Sequence, residues 1–226
     1  MDSPDSRPTP AGWLRRCGSH VLVLWPAKML GTTLGMTAFF VAYFWVLRHP
    51  AGPVTVMPVT IIDRLIGFQP IALPLYLSLW IYVSLAPALI TDRRELLSYG
   101  IAALGLSVVG LGLFILWPTE MPPARVDWSH HPAFTFLKSA DASGNACPSL
   151  HVAFAVFTGV WFERILRRMG TGRPARMINW LWCLGIVYST IATLQHVFLD
   201  ALAGTILGAI VAWMHLRWLR KLPAPI

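Results

Sequence analysis

Charge is scarce in this chain. Asp, Glu, Lys and Arg make up 12% of its 226 residues while hydrophobic residues make up 56%, and the apolar residues are gathered into long runs instead of the one-sided stripes of a soluble helix. That balance excludes a disordered segment and an ordinary soluble domain, and implies an all-α integral membrane protein. Cysteine is nearly missing as well. Cys17, Cys147 and Cys183 lie far apart without metal-ligand spacing, which signals neither a disulfide framework nor a zinc site. Cys147 has no obvious basic neighbour to activate it, so it reads as a small half-buried side chain and not a nucleophile. With no internal repeat, low-complexity linker or soluble domain, residues 1–226 read as a single transmembrane domain. A cleavable signal peptide is not expected, because residues 1–20 form a polar, Pro-rich tail and the first apolar run has no small-residue cleavage site.

What is present is a series of apolar runs near the roughly 20 residues that a bilayer requires. They cover 29–47, 70–90, 99–117, 149–166, 177–195 and 199–217, which predicts six transmembrane helices. Base outnumbers acid, eighteen residues to ten, for a net charge of +8. The base is also lopsided. Arg7, Arg15, Arg16, Lys28, Arg93, Arg94, Arg164, Arg167, Arg168, Arg173, Arg176, Arg217, Arg220 and Lys221 fall on one side of a six-span arrangement, and only Arg48, Arg64, Arg125 and Lys138 on the other. By the positive-inside rule both termini are then cytoplasmic. The basic excess is a topology signal, with anionic lipid as a secondary partner, and does not mark a nucleic-acid site. Short loops and the lack of a targeting extension point to a multi-pass protein of a bacterial inner membrane, although a eukaryotic secretory membrane satisfies the same physics.

Two non-cytoplasmic segments are long enough to hold structure. The first, 48–69, contains "VTIIDRLIGF", whose spacing fits either a short helix lying on the membrane surface or a plain connecting loop. The second, 118–148, is rich in Pro, His and Trp, and loops of that length are usually functional. It runs directly into "CPSLHVAFA", so that His151 opens the fourth helix on the same face where His196 and Asp200 join the fifth to the sixth. Ionisable side chains at membrane depth are expensive and are functional candidates by default. His196 and Asp200 are four apart, so on a helix they share a face, and the carboxylate can accept the ring N–H, fix its tautomer and leave the other nitrogen as nucleophile or base. His151, arriving from another helix, can move a proton at the opposite end of a reaction. Such a set suits in-line displacement at phosphorus through a phosphohistidine that water or an alcohol resolves. Ser149 is also a natural helix N-cap. Gly204 and Gly208 form a small-xxx-small packing face, and His130 and His131 read as interfacial loop residues.

"PSLH" at 148–151 and "STIATLQHVFLD" at 189–200 resemble the second and third signature motifs of the type 2 phosphatidic acid phosphatase (PAP2) superfamily, closest to its inositol phosphorylceramide synthase-like branch. The resemblance implies a six-span helical bundle with a periplasmic or exterior site, 118–148 as the active-site loop, a membrane lipid phosphate as substrate, and neither metal nor cofactor. Carried over by residue, His196 is the nucleophile, Asp200 its orienting partner, His151 the general acid for the leaving group, and Ser149 a ligand for a phosphate oxygen. The match has departures. Leu150 stands where the common second motif has glycine, and Thr190 where the third has arginine, which removes a bidentate phosphate clamp. Both look like the synthase branch and pull toward transfer of a phosphorylated headgroup over hydrolysis. The first motif, a lysine followed after six residues by Arg-Pro, is missing; "WPTEMPPAR" takes its place, making Arg125 the candidate phosphate ligand and Lys138 a weaker one. Arg125 also has a plainer role open to it, meeting lipid headgroups or pairing with Asp127.

Two other classes stay open at this point. A metal-dependent membrane hydrolase would use the same two histidines and aspartate as ligands, but the chain has no H-E-x-x-H motif. A non-enzymatic channel, transporter or scaffold would show no turnover. The motifs do not distinguish among phosphatidate, an isoprenoid diphosphate, a phosphatidylglycerol phosphate and a sphingolipid or phosphatidylinositol donor.

Overall fold

The computed structural model describes residues 17–124, 126–140 and 144–221. In chain order it contains α1 (Trp25–Arg48), β1 (Thr55–Val56), α2 (Ile61–Ile66), α3 (Leu73–Leu77), α4 (Leu79–Leu89), α5 (Arg93–Leu116), β2 (Thr119–Glu120), α6 (Pro132–Ala140), α7 (Leu150–Arg168), α8 (Arg173–Ala192) and α9 (Phe198–Lys221). Helices stand in all six of the ranges expected to be apolar spans. Four segments, Trp25–Arg48, Pro70–Leu89, Arg93–Leu116 and Phe198–Leu219, are long and apolar enough to cross a membrane. The other two, α7 and α8, run for 19 and 20 residues but carry more polar groups, among them Glu163 and Arg167 in α7 and Asn179, Ser189 and Thr190 in α8. The reason is position. Val152, Ala153, Ala155, Phe157 and Trp161 of α7 are fully buried, as are Ser189 and Thr190 of α8. A helix screened by protein can hold polar groups that lipid would penalise.

Two details differ from the sequence reading. The second apolar range is not one rod: it starts as a 3-10 turn at Pro70–Ala72 and is interrupted between α3 and α4 at Ser78. The Ser78 hydroxyl donates to the Leu75 carbonyl at 2.6 Å and accepts the Trp182 indole N–H at 2.8 Å, so a partner on α8 stabilises the break. Lys28, counted above with the polar tail, lies inside α1. Its ammonium is buried and donates to the carbonyls of His20 and Ala88 at 2.7 and 2.6 Å. It thereby caps the end of α4, where helix carbonyls lack partners and the dipole favours a cation.

At one end of the bundle α1 and α5 finish and α7 and α9 begin. The segments 48–69 and 118–148 meet there as a joint cap. Parallel pairing joins β1 to β2, in the register Thr55 with Thr119 and Val56 with Glu120. Met57, Ala146, Cys147 and Val197 form a small apolar cluster beneath them, and the Cys147 amide donates to the Thr119 hydroxyl at 2.8 Å. Of the two readings open for 48–69, a short helix is present as α2, with Ile61 and Leu65 turned outward at 73% and 80% exposure. The opposite end holds most of the described arginines. There Glu95 faces Arg164 and Arg168 at 3.6 and 2.6 Å, and a single oxygen of Glu163 takes both Arg167 and Arg176 at 2.6 Å.

Between the two ends, α7 and α9 run parallel and touch through their backbones. A Cβ at Gly204 would strike the Ser149 carbonyl, and one at Gly208 the Ala153 carbonyl. The small residues one turn apart on α9 are therefore what lets that helix lie directly against α7.

Candidate active site

Ser149 is the N-cap of α7. Its hydroxyl oxygen accepts the Val152 N–H at 3.3 Å, which leaves its own O–H free in direction, and its amide donates to the Asp200 carbonyl at 3.0 Å. The start of α7 is thus tied to the first turn of α9. His151, two residues on, stacks on the ring of Tyr76 with centroids 4.1 Å apart and planes within 9°. Its Nε2–H donates to the Tyr76 carbonyl at 3.2 Å. A carbonyl can only accept, so this bond places the hydrogen on Nε2 and leaves Nδ1 as the nitrogen that exchanges a proton.

His196 is held by a different device. After α8 the backbone turns through Leu194 with φ 54°, and the amides of Gln195 and His196 both donate to the Thr190 carbonyl at 3.0 and 3.1 Å. That closes the helix end and delivers His196 immediately ahead of α9. Asp200 is wholly buried in the first turn of α9, and its Oδ2 accepts the Val197 N–H at 3.1 Å, the acidic half of a capping box. The pair therefore does not sit on one helical face, as the spacing suggested; His196 lies outside the helix and Asp200 reaches back toward it. His196 Nδ1 and Asp200 Oδ2 are 3.6 Å apart, and both His196 Nδ1 and Asp200 Oδ1 are buried with no hydrogen-bond partner. A shift of roughly 0.7 Å would bring the pair to ordinary hydrogen-bond length, a tightening common when a ligand enters. His151 and His196 lie within electrostatic range of one another.

The third-motif start gives backbone support and no phosphate clamp. Ser189 and Thr190 are buried, and their hydroxyls donate within α8 to the Ile186 and Val187 carbonyls at 2.7 Å each. Leu150, the other departure, is a core residue whose side chain occupies the space beside Gly110. Cys147 lies beside Asp200. Burial first, and that carboxylate second, push its thiol up to about 12, so it stays protonated and is no nucleophile.

The structure brings His151, His196, Asp200 and Ser149 together. Arg125 lies outside the described residues, as does the side chain of Lys138 in α6. His130 faces Asp127 at 3.6 Å with both side chains exposed. Hydrogen bonds from the Ser129 hydroxyl and amide hold the Asp127 carboxyl below its usual range. His131 packs edge-on against Phe68. Among the described residues no three His, Cys, Asp or Glu side chains converge so as to hold a metal ion. The contact that sequence reasoning missed is Tyr76, which supports His151 by both ring and carbonyl. Nothing local marks it, because its role depends on the break at Ser78 and on a partner far along the chain.

Among curated proteins and solved structures the chain has no match. Residues 96–223 match the family model of the PAP2 superfamily, a stretch that runs from α5 to the end of α9 and includes Ser149, His151, His196 and Asp200, with Tyr76 outside it. With more than half its length so matched, the chain belongs to the PAP2 superfamily, whose members are generally phosphatases or phosphotransferases.

Proposed function

We propose that the protein is a lipid-phosphate phosphatase or phosphotransferase that crosses a bacterial inner membrane six times and acts at the non-cytoplasmic face. The observation that carries the reading is the pairing of His196 with a buried carboxylate, 3.6 Å from Asp200, beside a second histidine fixed by Tyr76. In this reading Asp200 holds the hydrogen on His196 Nδ1 and stabilises the ring as it becomes positive. His196 Nε2 attacks phosphorus, and the bond from phosphorus to the leaving oxygen breaks as His151 delivers a proton from Nδ1 to that oxygen. Water, deprotonated by the same His151 nitrogen, then attacks the phosphohistidine and returns His196 with release of phosphate. The Ser149 O–H and the first amides of α7 face the charge that spreads over the phosphate oxygens. Arg125 is the candidate for the remaining charge. The concentration of arginine at the end of the bundle remote from this cluster supports a cytoplasmic assignment for that end.

The test is phosphate release from a panel of lipid phosphates by purified protein in detergent with EDTA, comparing wild type with His196→Ala. Release that survives EDTA and disappears in the variant supports the reading; full activity in a folded His196→Ala protein removes His196 as nucleophile. A second reading, transfer of a phosphorylated headgroup to an alcohol as in inositol phosphorylceramide synthases, is favoured by Leu150 and Thr190. In that case phosphate is not released, and a labelled phospholipid donor with an alcohol acceptor reveals the activity.

A further inference from the structure

Asp63 lies in the first half of the chain, outside the matched residues, and it touches the start of the helix that carries Asp200. It is the third residue of α2, with Thr60 as N-cap. One carboxylate oxygen, Oδ2, accepts both the amide and the hydroxyl of Thr60 at 2.7 Å, while the Thr60 hydroxyl oxygen accepts the Asp63 amide at 3.4 Å. That is a complete capping box and would suffice for so short a helix. The other oxygen, Oδ1, leaves the local structure and accepts the Phe198 N–H at 2.7 Å. The residue is buried to 8% exposure, and both carboxylate oxygens are occupied by donors.

Phe198 is the first residue of α9, and its amide is one of the donors that a helix start leaves without an internal partner. The amide just before it, that of Val197, is taken by Asp200 Oδ2. Two carboxylates therefore share the start of α9: Asp200 from within the helix and Asp63 from the cap segment. The division matters because Asp200 has a second duty. Its Oδ1 is unoccupied and His196 Nδ1 is unoccupied. If the Phe198 amide were left buried and unpaired, it would compete for the Asp200 carboxylate, whose Oδ2 both accepts the Val197 N–H and faces His196 Nδ1 at 3.6 Å, and would draw that carboxylate away from the imidazole. His196 is also only two residues ahead of Phe198, so the same bond fixes where its backbone enters the site.

We propose that Asp63 is a positioning residue for the His196–Asp200 pair: by holding the Phe198 amide it anchors the start of α9 and keeps the Asp200 carboxylate turned to the imidazole. The role rests on the phosphohistidine reading above. It makes the Asp63 carboxylate, through its Oδ1 alone, a strut of the site reaching in from the cap segment.

The test measures kcat and KM for phosphate release from dioctanoyl phosphatidate and from farnesyl diphosphate in detergent micelles with EDTA, per mole of folded protein. Asp63→Asn keeps the shape but turns an amide donor toward other donors. Phe198→Pro removes the same bond from its other side, at a helix position where proline is tolerated. Each is expected to lower kcat about tenfold to a hundredfold, the scale of a small displacement of reacting groups, with KM within about twofold of wild type. The double variant is expected to lose no more than the worse single one, since both delete one interaction. Thr60→Val, which cuts the link within α2 and leaves the Phe198 bond, is expected to keep wild-type kcat. Wild-type kcat in folded Asp63→Asn, or in folded Phe198→Pro should the first not fold, overturns the proposal, because a merely stabilising residue would lower the folded yield and leave kcat alone. Loss additive in the double variant also overturns it. Activity in His196→Ala, or silence of wild type both toward these probes and in headgroup transfer from a labelled phospholipid to an alcohol, instead overturns the phosphohistidine reading and the Asp63 role with it, so the two failures are told apart.

Discussion

At the scale of single residues, the proposed site is a set of backbone caps. Ser149 caps α7, Asp200 caps α9, and the Thr190 carbonyl closes α8 while holding the amide of His196. This separates side chains whose loss affects chemistry from those whose backbone alone matters. Thr190→Ala keeps the carbonyl and deletes only a hydroxyl bonded within its own helix, so turnover is expected to stay within about twofold of wild type in the EDTA-resistant assay. Asp200→Asn, which also takes away the carboxylate facing His196, is expected to lower kcat by roughly a hundredfold or more. Thiol chemistry follows burial. At pH 8, N-ethylmaleimide is expected to modify partly exposed Cys17, while Cys147, about four units below its titration, and buried Cys183 react only after unfolding, as read by mass spectrometry. The close spacing of His196 and Asp200 was visible in the sequence because both are costly residues in an apolar setting. The stacking of His151 on Tyr76 was not, since an aromatic residue in an apolar run has many uses.

At the scale of elements, the contact of α7 with α9 sets the tolerance of the site. At Gly204 and Gly208 an added Cβ meets backbone carbonyls of α7, which cannot step aside, whereas at Gly110 it meets the movable end of Leu150. Gly208→Ala is therefore expected to destabilise by more than about 3 kcal/mol and Gly110→Ala by about 1 kcal/mol, an order that SDS-driven unfolding in detergent would reveal or refute. Helix locations were legible because lipid imposes long apolar runs on the chain. Where a helix is screened by its neighbours that pressure lapses, and α7 and α8 duly bury glutamate, threonine and asparagine. The break at Ser78 and the link from Asp63 to Phe198 were hidden for another reason: each is stabilised by a partner more than a hundred residues away, Trp182 in one case and the start of α9 in the other.

At the scale of the whole molecule, the bundle has one end rich in acid–arginine pairs and one end where the cap and the histidines meet. If the arginine-rich end is cytoplasmic, Gly172→Cys at the start of α8 is expected to resist a membrane-impermeant maleimide added to intact cells, and Gly52→Cys in the cap segment is expected to react; the reverse pattern would invert the proposed orientation. The parallel pairing of α7 and α9 also bears on how the protein is made. The amide of Ser149 finds its carbonyl, and His196 its carboxylate, only after the final helix has left the ribosome and lodged beside α7. A nascent chain halted before α9 is thus no slow enzyme but an inert one, with a polar helix turned to lipid and recognisable as unfinished to any membrane protease that senses buried polarity. Under the proposed mechanism, insertion of α9 is the step that switches the site on.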